Sequence, residues 1–163
     1  MPQAREKVYA KLKELNFEFR VHTHLPIGSS RDAILLPPEV EGAKSKNLFL
    51  RNNDATNLFL VILELNFRVD LKKLANTLNE KRLSFASEDQ LSKYLGVQAG
   101  SVSPFNLLNG YGKEVSLIID RSLLLFEKLS FHPNDNRASI VISTLSFVKY
   151  LEWTGNKVFY VDF

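Results

Sequence analysis

Lys44-Ser45-Lys46-Asn47-Leu48-Phe49-Leu50-Arg51 begins polar and basic and runs into large apolar residues. Asn52-Asn53-Asp54 follow directly; Asn and Asp suit a turn because they tolerate positive φ and bond their own backbone. Leu58 to Leu65 is then apolar at nearly every position, as in a strand covered on both faces. Together these pieces predict a β-hairpin that starts with Lys46 and Asn47 beside a low-dielectric core. A lysine held where a strand leaves the surface can face a phosphate or a developing anion. The commoner role of such a lysine is a solvated strand-end charge.

On the N-terminal side, Val8, Leu12 and Leu15 recur at helical spacing within Gln3 to Leu15, and Asn16 can end that helix in the left-handed region. Phe17, Phe19 and Val21 alternate with Glu18, Arg20 and His22, the pattern of a half-buried strand. Ser29 or Ser30 can cap a short helix through Leu36, which Pro37-Pro38 stops. On the C-terminal side, Asp70 caps a helix carrying Leu71, Leu74 and Leu78. Arg82 to Ala86 reads as extended. Ser87 and Gln90 form a capping box for a helix that ends at Gly96. Val97 to Phe105 is a loop of small residues, and Val115 to Asp120 a strand. Leu123 to Phe126 is apolar but too short to assign. Phe131 to Asn136 reads as a polar turn before a strand, Ala138 to Ile142. Ser143 or Thr144 caps the last helix, with Leu145, Val148 and Leu151 expected inward and Gly155 closing it. Val158 to Val161 is a final short strand. Helices and strands mix without strict βαβ alternation, so the expected class is α+β with a mixed, largely antiparallel sheet.

At 163 residues the chain is expected to form one domain, residues 1–163, with a substantial core. Apolar content of 45% and charged content of 24% are ordinary for a globular protein. No apolar run approaches the ~18 residues of a membrane span, and Met1 to Lys7 lacks a secretory apolar segment. A cytoplasmic protein without membrane partners is therefore expected. The absence of cysteine excludes disulfides, thiolate metal sites and a cysteine nucleophile. A net charge of +3 permits contact with a nucleic-acid end but does not demand it.

Four kinds of chemistry can be weighed from the residues. His22-x-His24 puts two imidazoles on one strand face, but a zinc site needs a third ligand and the chain has one other histidine; no metal or other cofactor is expected. Ser101 and Ser103 lie in no G-x-S-x-G elbow. Gly96-Val97-Gln98-Ala99-Gly100 lacks the spacing of a phosphate loop or dinucleotide fingerprint. What remains is a site without a protein nucleophile. The amides of Gly100 and Ser101 could act as oxyanion donors, with Pro104 stiffening their loop, although an ordinary tight loop has the same spacing.

Three segments in order carry a resemblance: Lys46-Asn47-Leu48-Phe49-Leu50, then Leu95-Gly96-Val97 with Gly100-Ser101-Val102-Ser103-Pro104-Phe105, then Phe131-His132-Pro133 with Asn136. With His24 and Pro26, Asp70 to Ala75, Leu83 to Ala86 and Asp120, the chain resembles the YbaK and prolyl-tRNA-synthetase-associated editing domains over roughly residues 4 to 163. Within them it looks most like free-standing prolyl-tRNA editing proteins, which hydrolyse alanine mischarged onto proline tRNA. The resemblance implies a curved mixed sheet, a partial barrel wrapped by helices, with a small pocket at one side. It implies catalytic roles for Lys46, Gly100, Ser101 and His132, and substrate contacts from Asn47, Val102, Phe131 and Asn136. Lys46 would anchor the terminal adenosine or its phosphate, the loop amides would polarise the ester carbonyl, and His132 would position the aminoacyl group. Water would be the nucleophile, with the substrate's free ribose hydroxyl available to activate it.

The implied partner is the acceptor end of an aminoacyl-tRNA, with prolyl-tRNA synthetase a further candidate. Rival functions are removal of another small residue such as Cys or Ser, a non-catalytic module binding tRNA ends or a synthetase, and a small-molecule hydrolase. Four departures from the family pattern bear on pocket size, and so on the amino acid removed: Asn106 in place of Gly, Asn134 in place of an apolar residue, Ala138-Ser139 where Thr is common, and Gly155-Asn156 in place of Gly-His.

Overall fold

A computed structural model of the chain describes residues 2–28, 32, 36–109 and 112–163. Helix α1 (Pro2–Glu14) places Val8 and Leu12, one turn apart, fully in the core, and Asn16 ends the segment at φ 60°. Strand β1 (Phe19–Thr23) follows. The helix expected from Ser29 or Ser30 lies outside the described residues apart from Asp32 and Leu36. The hairpin is present: β2 (Ala43–Asn52) pairs antiparallel with β3 (Leu58–Glu64), Lys46 opposite Leu63 and Arg51 opposite Leu58. Its turn is held by the Asn52 side chain, which accepts from the Asn57 amide at 3.0 Å.

After the hairpin come α2 (Leu71–Thr77), β4 (Leu83–Phe85) and α3 (Glu88–Gln90), which continues as a π-helical turn, Leu91–Leu95. The expected caps are in place: Asp70 accepts from the Lys73 amide, Ser87 and Gln90 form a capping box, and Gly96 closes the π turn at φ 68°. Two 3₁₀ helices, Pro104–Leu108 and Gly112–Glu114, precede β5 (Val115–Asp120), and another, Arg121–Leu125, takes up most of the unassigned apolar run. Strands β6 (Lys128–Phe131) and β7 (Ala138–Ser143), helix α4 (Thr144–Thr154) and β8 (Val158–Val161) complete the chain. Phe131, expected in a turn, is the last residue of β6.

The eight strands form one mixed, open sheet in the order β1-β7-β6-β2-β3-β5-β8, with β4 on β2. Four pairings are antiparallel and three parallel, so the expected antiparallel predominance is slight. The unbroken apolar run of β3 has a direct cause. Leu58, Leu60 and Ile62 face a core shared with α1 and α4, while Phe59, Val61 and Leu63 face a second core with Leu74 and Ala75 of α2.

One expectation fails in α4. Leu145 is 66% exposed, and the buried stripe is Thr144, Phe147, Tyr150, Leu151 and Thr154. The two aromatic side chains set the rotation of the helix. Tyr150 and Phe147 pack on Phe105 and Phe131, and the Tyr150 hydroxyl donates to the Pro104 carbonyl at 2.9 Å. Only a rotation that buries them is compatible with that contact, and it turns Leu145 to solvent.

Candidate active site

The site begins with a split in the sheet. One edge of β2 pairs throughout with β3. On its other edge Ala43 and Lys44 pair with β6, and Leu50 to Asn52 pair with β4. No described strand covers residues 45–48 there, the Phe49 carbonyl accepting from the Ala86 amide at 2.9 Å, and the Val102 loop is tied to this stretch through Asn47. Strand pleat sends Lys46 and Asn47 to opposite faces, yet both reach the opening because it lies at an interrupted edge.

The Val102 carbonyl ties the gap together. It accepts from Asn47 Nδ2 at 3.1 Å and from His132 Nε2 at 3.1 Å, using both lone pairs of one oxygen. Ser103 Oγ donates to the His132 carbonyl at 3.0 Å. The three segments singled out in the sequence therefore meet at one point. A carbonyl can only accept, so His132 carries its proton on Nε2 and presents Nδ1 as an unprotonated acceptor. Burial lowers the His132 pKa to about 4, so the ring is neutral near pH 7. His132 Nδ1 and Asn47 Oδ1 are buried acceptors with no partner among the described residues.

Around this junction lies a cavity of about 250 Å³, below the ~300–1,000 Å³ of pockets for drug-sized ligands. Lys46, Asn47, Gly100, Val102, Phe131, His132 and Asn136 all line it. Ser101 does not: its amide, expected as an oxyanion donor, closes a turn on the Gln98 carbonyl at 3.1 Å. Gly100 sits at φ 88°, a conformation glycine adopts without strain. The Gly100 and Val102 amides have no acceptor among the described residues. The Lys46 ammonium likewise has no carboxylate or carbonyl partner among them. Phe131 contributes a wall, its ring packed on Phe105 and Phe147.

Lys44, two residues from Lys46, behaves differently. Its ammonium donates to the carbonyls of Val40, Glu41 and Gly42 at 2.5, 3.3 and 2.9 Å, and burial lowers its pKa. It pins the segment leading into β2 and, among the described residues lining the cavity, leaves Lys46 as the lysine available to a ligand. His24 and Ser139 also line the cavity. Neither was expected as a site residue; the sequence signals were the His22-x-His24 pair and the departure at Ala138-Ser139. The His24 ring is held by Leu25 and Ser139, and no group of three His, Asp or Glu suited to a metal occurs among the described residues.

The departures Asn106 and Asn134 lie beneath the cavity rather than in its wall. Asn106 is fully buried; its Oδ1 accepts from the Ser103 amide at 2.7 Å and its Nδ2 donates to Asn134 Oδ1 at 2.7 Å. Asn134, at φ 61°, donates to the Phe105 carbonyl at 3.2 Å. The two replacements are partners, joining the Val102 loop to the His132 turn. Asp135 next door is held well below the usual carboxylate range by the hydrogen bonds of Arg137, at 2.9 and 2.8 Å. Asn156 donates to the Gly112 and Val115 carbonyls, both at 2.7 Å, and does not line the cavity.

Residues 37–150 match the family described as the aminoacyl-tRNA editing domain. The chain belongs to that family. The editing domain acts on aminoacyl-tRNA, and its reaction is hydrolysis of the ester that joins amino acid to tRNA. It is 36% identical over 153 residues to the prolyl-tRNA editing protein ProX of Acetoanaerobium sticklandii, covering 94% of this chain and 93% of that one. It is 29% identical to the prolyl-tRNA synthetase associated domain-containing protein 1 of Xenopus laevis, covering 98% and 96%. A solved structure described as a "putative trans-editing enzyme for prolyl tRNA synthetase" superposes with a TM-score of 0.69 at 19% identity, covering 98% of this chain and 97% of that one. That likeness establishes the fold of the editing domain. Among the described residues no helix is long and apolar enough to cross a membrane.

Proposed function

We propose that this editing domain works in trans on mischarged proline tRNA, hydrolysing Ala-tRNA(Pro) to alanine and free tRNA. The observation that carries the reading is the meeting of Asn47 and His132 on one carbonyl of the Gly100–Val102 loop, in a small cavity that also holds Lys46. An aminoacyl ester is already activated, so fixing it against water and polarising its carbonyl is enough for turnover. In this reading Lys46 binds the terminal adenosine or its phosphate. The Gly100 and Val102 amides polarise the carbonyl, in place of the Gly100–Ser101 pair, because the Ser101 amide is engaged by Gln98. The neutral His132 ring, Asn47, Phe131 and Asn136 position the aminoacyl group. The similarity to ProX supports the choice of proline tRNA.

Selectivity follows from size. A synthetase pocket gains only about 1–3 kcal/mol against a substrate smaller by a methylene. A second, smaller hydrolytic pocket admits alanine and refuses the proline ring by overlap. Prolyl-tRNA synthetase is the proposed protein partner and the cytoplasm the proposed location. Incubation with Ala-tRNA(Pro), Cys-tRNA(Pro) and Ser-tRNA(Pro), each followed to free tRNA, tests the substrate. Fastest release from Ala-tRNA(Pro) is expected; preference for Cys or Ser would reassign the amino acid. Binding without turnover of any of them would make the domain a tRNA-end-binding module.

A further inference from the structure

His24 and Ser139 make a second polar centre in the cavity wall. The His24 Nδ1 lies 2.7 Å from the Leu25 carbonyl, and Nε2 lies 2.9 Å from Ser139 Oγ. Because the carbonyl can only accept, Nδ1 carries the proton in the neutral ring and Nε2 offers a lone pair to the Ser139 hydroxyl. The pair is firmly seated. The His24 amide donates to the Arg137 carbonyl at 2.9 Å, the Ile27 amide to the Asn136 carbonyl at 3.0 Å, and Ser139 lies in β7, 4% exposed. Hydroxyl, imidazole and orienting acceptor thus stand in the relation that makes an imidazole a base, with a backbone carbonyl in the place a carboxylate often takes. By contrast His132, the histidine expected to act, has its Nε2 proton held by Val102 and contributes an acceptor only.

We propose that His24 is the general base of the deacylation, reached by the attacking water through Ser139. This rests on the deacylase reading above. As the water oxygen bonds to the ester carbonyl carbon, its proton passes to Ser139 Oγ while the Ser139 proton passes to His24 Nε2. When the tetrahedral intermediate collapses, the bond from carbon to ribose oxygen breaks. The imidazolium returns its proton, through Ser139, to that oxygen. The products are the amino acid and tRNA with its ribose hydroxyl restored, and the pair is regenerated. Ser139 gains no acyl group at any stage.

The test uses the full chain and Ala-tRNA(Pro). Wild type, His24→Ala, His24→Asn and Ser139→Ala are compared by single-turnover deacylation, with thermal melting as the check on folding. His24→Ala is expected to lose about 10²-fold or more in kcat with KM little changed, and added imidazole to restore at least tenfold of that. His24→Asn, whose amide can replace the Nδ1 donor but cannot take a proton, should be equally slow. Ser139→Ala should fall about tenfold, since a water can bridge to His24 in its place. A His24→Ala rate within threefold of wild type overturns the assignment, as does loss without imidazole rescue in a folded protein of unchanged KM. An aminoacyl adduct on Ser139 in mass spectrometry would overturn it too, making the serine a nucleophile. Inactivity of the wild type on every aminoacyl-tRNA would instead remove the deacylase reading itself.

Discussion

Lys46 and Lys44 share a strand and differ in what surrounds them. Three carbonyls hold Lys44, and nothing described holds Lys46, so the two substitutions should separate. Lys46→Ala is expected to lower deacylation about 10²-fold with an unchanged melting temperature, whereas Lys44→Met should lower the melting temperature first. Equal activity of Lys46→Ala and wild type would take that residue out of the site. His132 has a different signature. Burial lowers its pKa from the ordinary 6.5 to about 4, so as pH falls the unfolded chain takes up the proton first. The folded state therefore loses stability between about pH 6.5 and 4, and the loss stops below that. The contribution is on the order of 3 kcal/mol. Urea midpoints across that range should fall steeply for wild type and remain flatter for His132→Gln; parallel curves would contradict a buried neutral ring. Residues of this kind were partly legible in the sequence. Lys46, Gly100 and His132 stand in an ordered pattern along the chain, but that Ser101 turns its amide to Gln98 depends on the local path of the loop, and that His24 meets Ser139 depends on a contact between segments 115 residues apart.

At the scale of elements, the cavity opens where β2 changes neighbours along one edge and the Val102 loop bonds to Asn47. Gly42 begins that arrangement. At φ 87° an added Cβ would lie 3.0 Å from the Leu129 carbonyl carbon, so Gly42→Ala combines left-handed strain with a backbone clash at the β2–β6 junction. It should destabilise the fold by about 1–3 kcal/mol, read as a lowered urea midpoint; no change would mean that the junction readily shifts. The Asn106–Asn134 bridge makes a second case. Each single change to Ala strands a buried partner and should cost about 1–3 kcal/mol, and the double variant should cost less than the sum. Additive losses would show that the two side chains are independent. Local rules sufficed where the signal is local, as in the Ser87–Gln90 box, the Asp70 cap and the run of β3. They failed where packing decides. β6 was invisible because Lys128 and Ser130 interrupt it and only two residues pair with β2. Leu145 was misplaced because Phe147 and Tyr150 claim the core.

At the scale of the whole molecule, an excess of +3 on a 163-residue chain is too small to hold a nucleic acid by itself. Binding to tRNA should rest on a few phosphate contacts near the cavity, and log affinity against log salt should have a slope of about −1.5 to −3, the value for roughly two to four such contacts. A slope near zero would contradict an electrostatic anchor, and a much steeper one would imply a footprint far beyond the acceptor end. The most direct measurement is deacylation of Ala-tRNA(Pro) and Pro-tRNA(Pro) in parallel by the unmodified protein. Release of alanine with prolyl-tRNA left intact is the expected result; hydrolysis of both at similar rates, or of prolyl-tRNA alone, would contradict it.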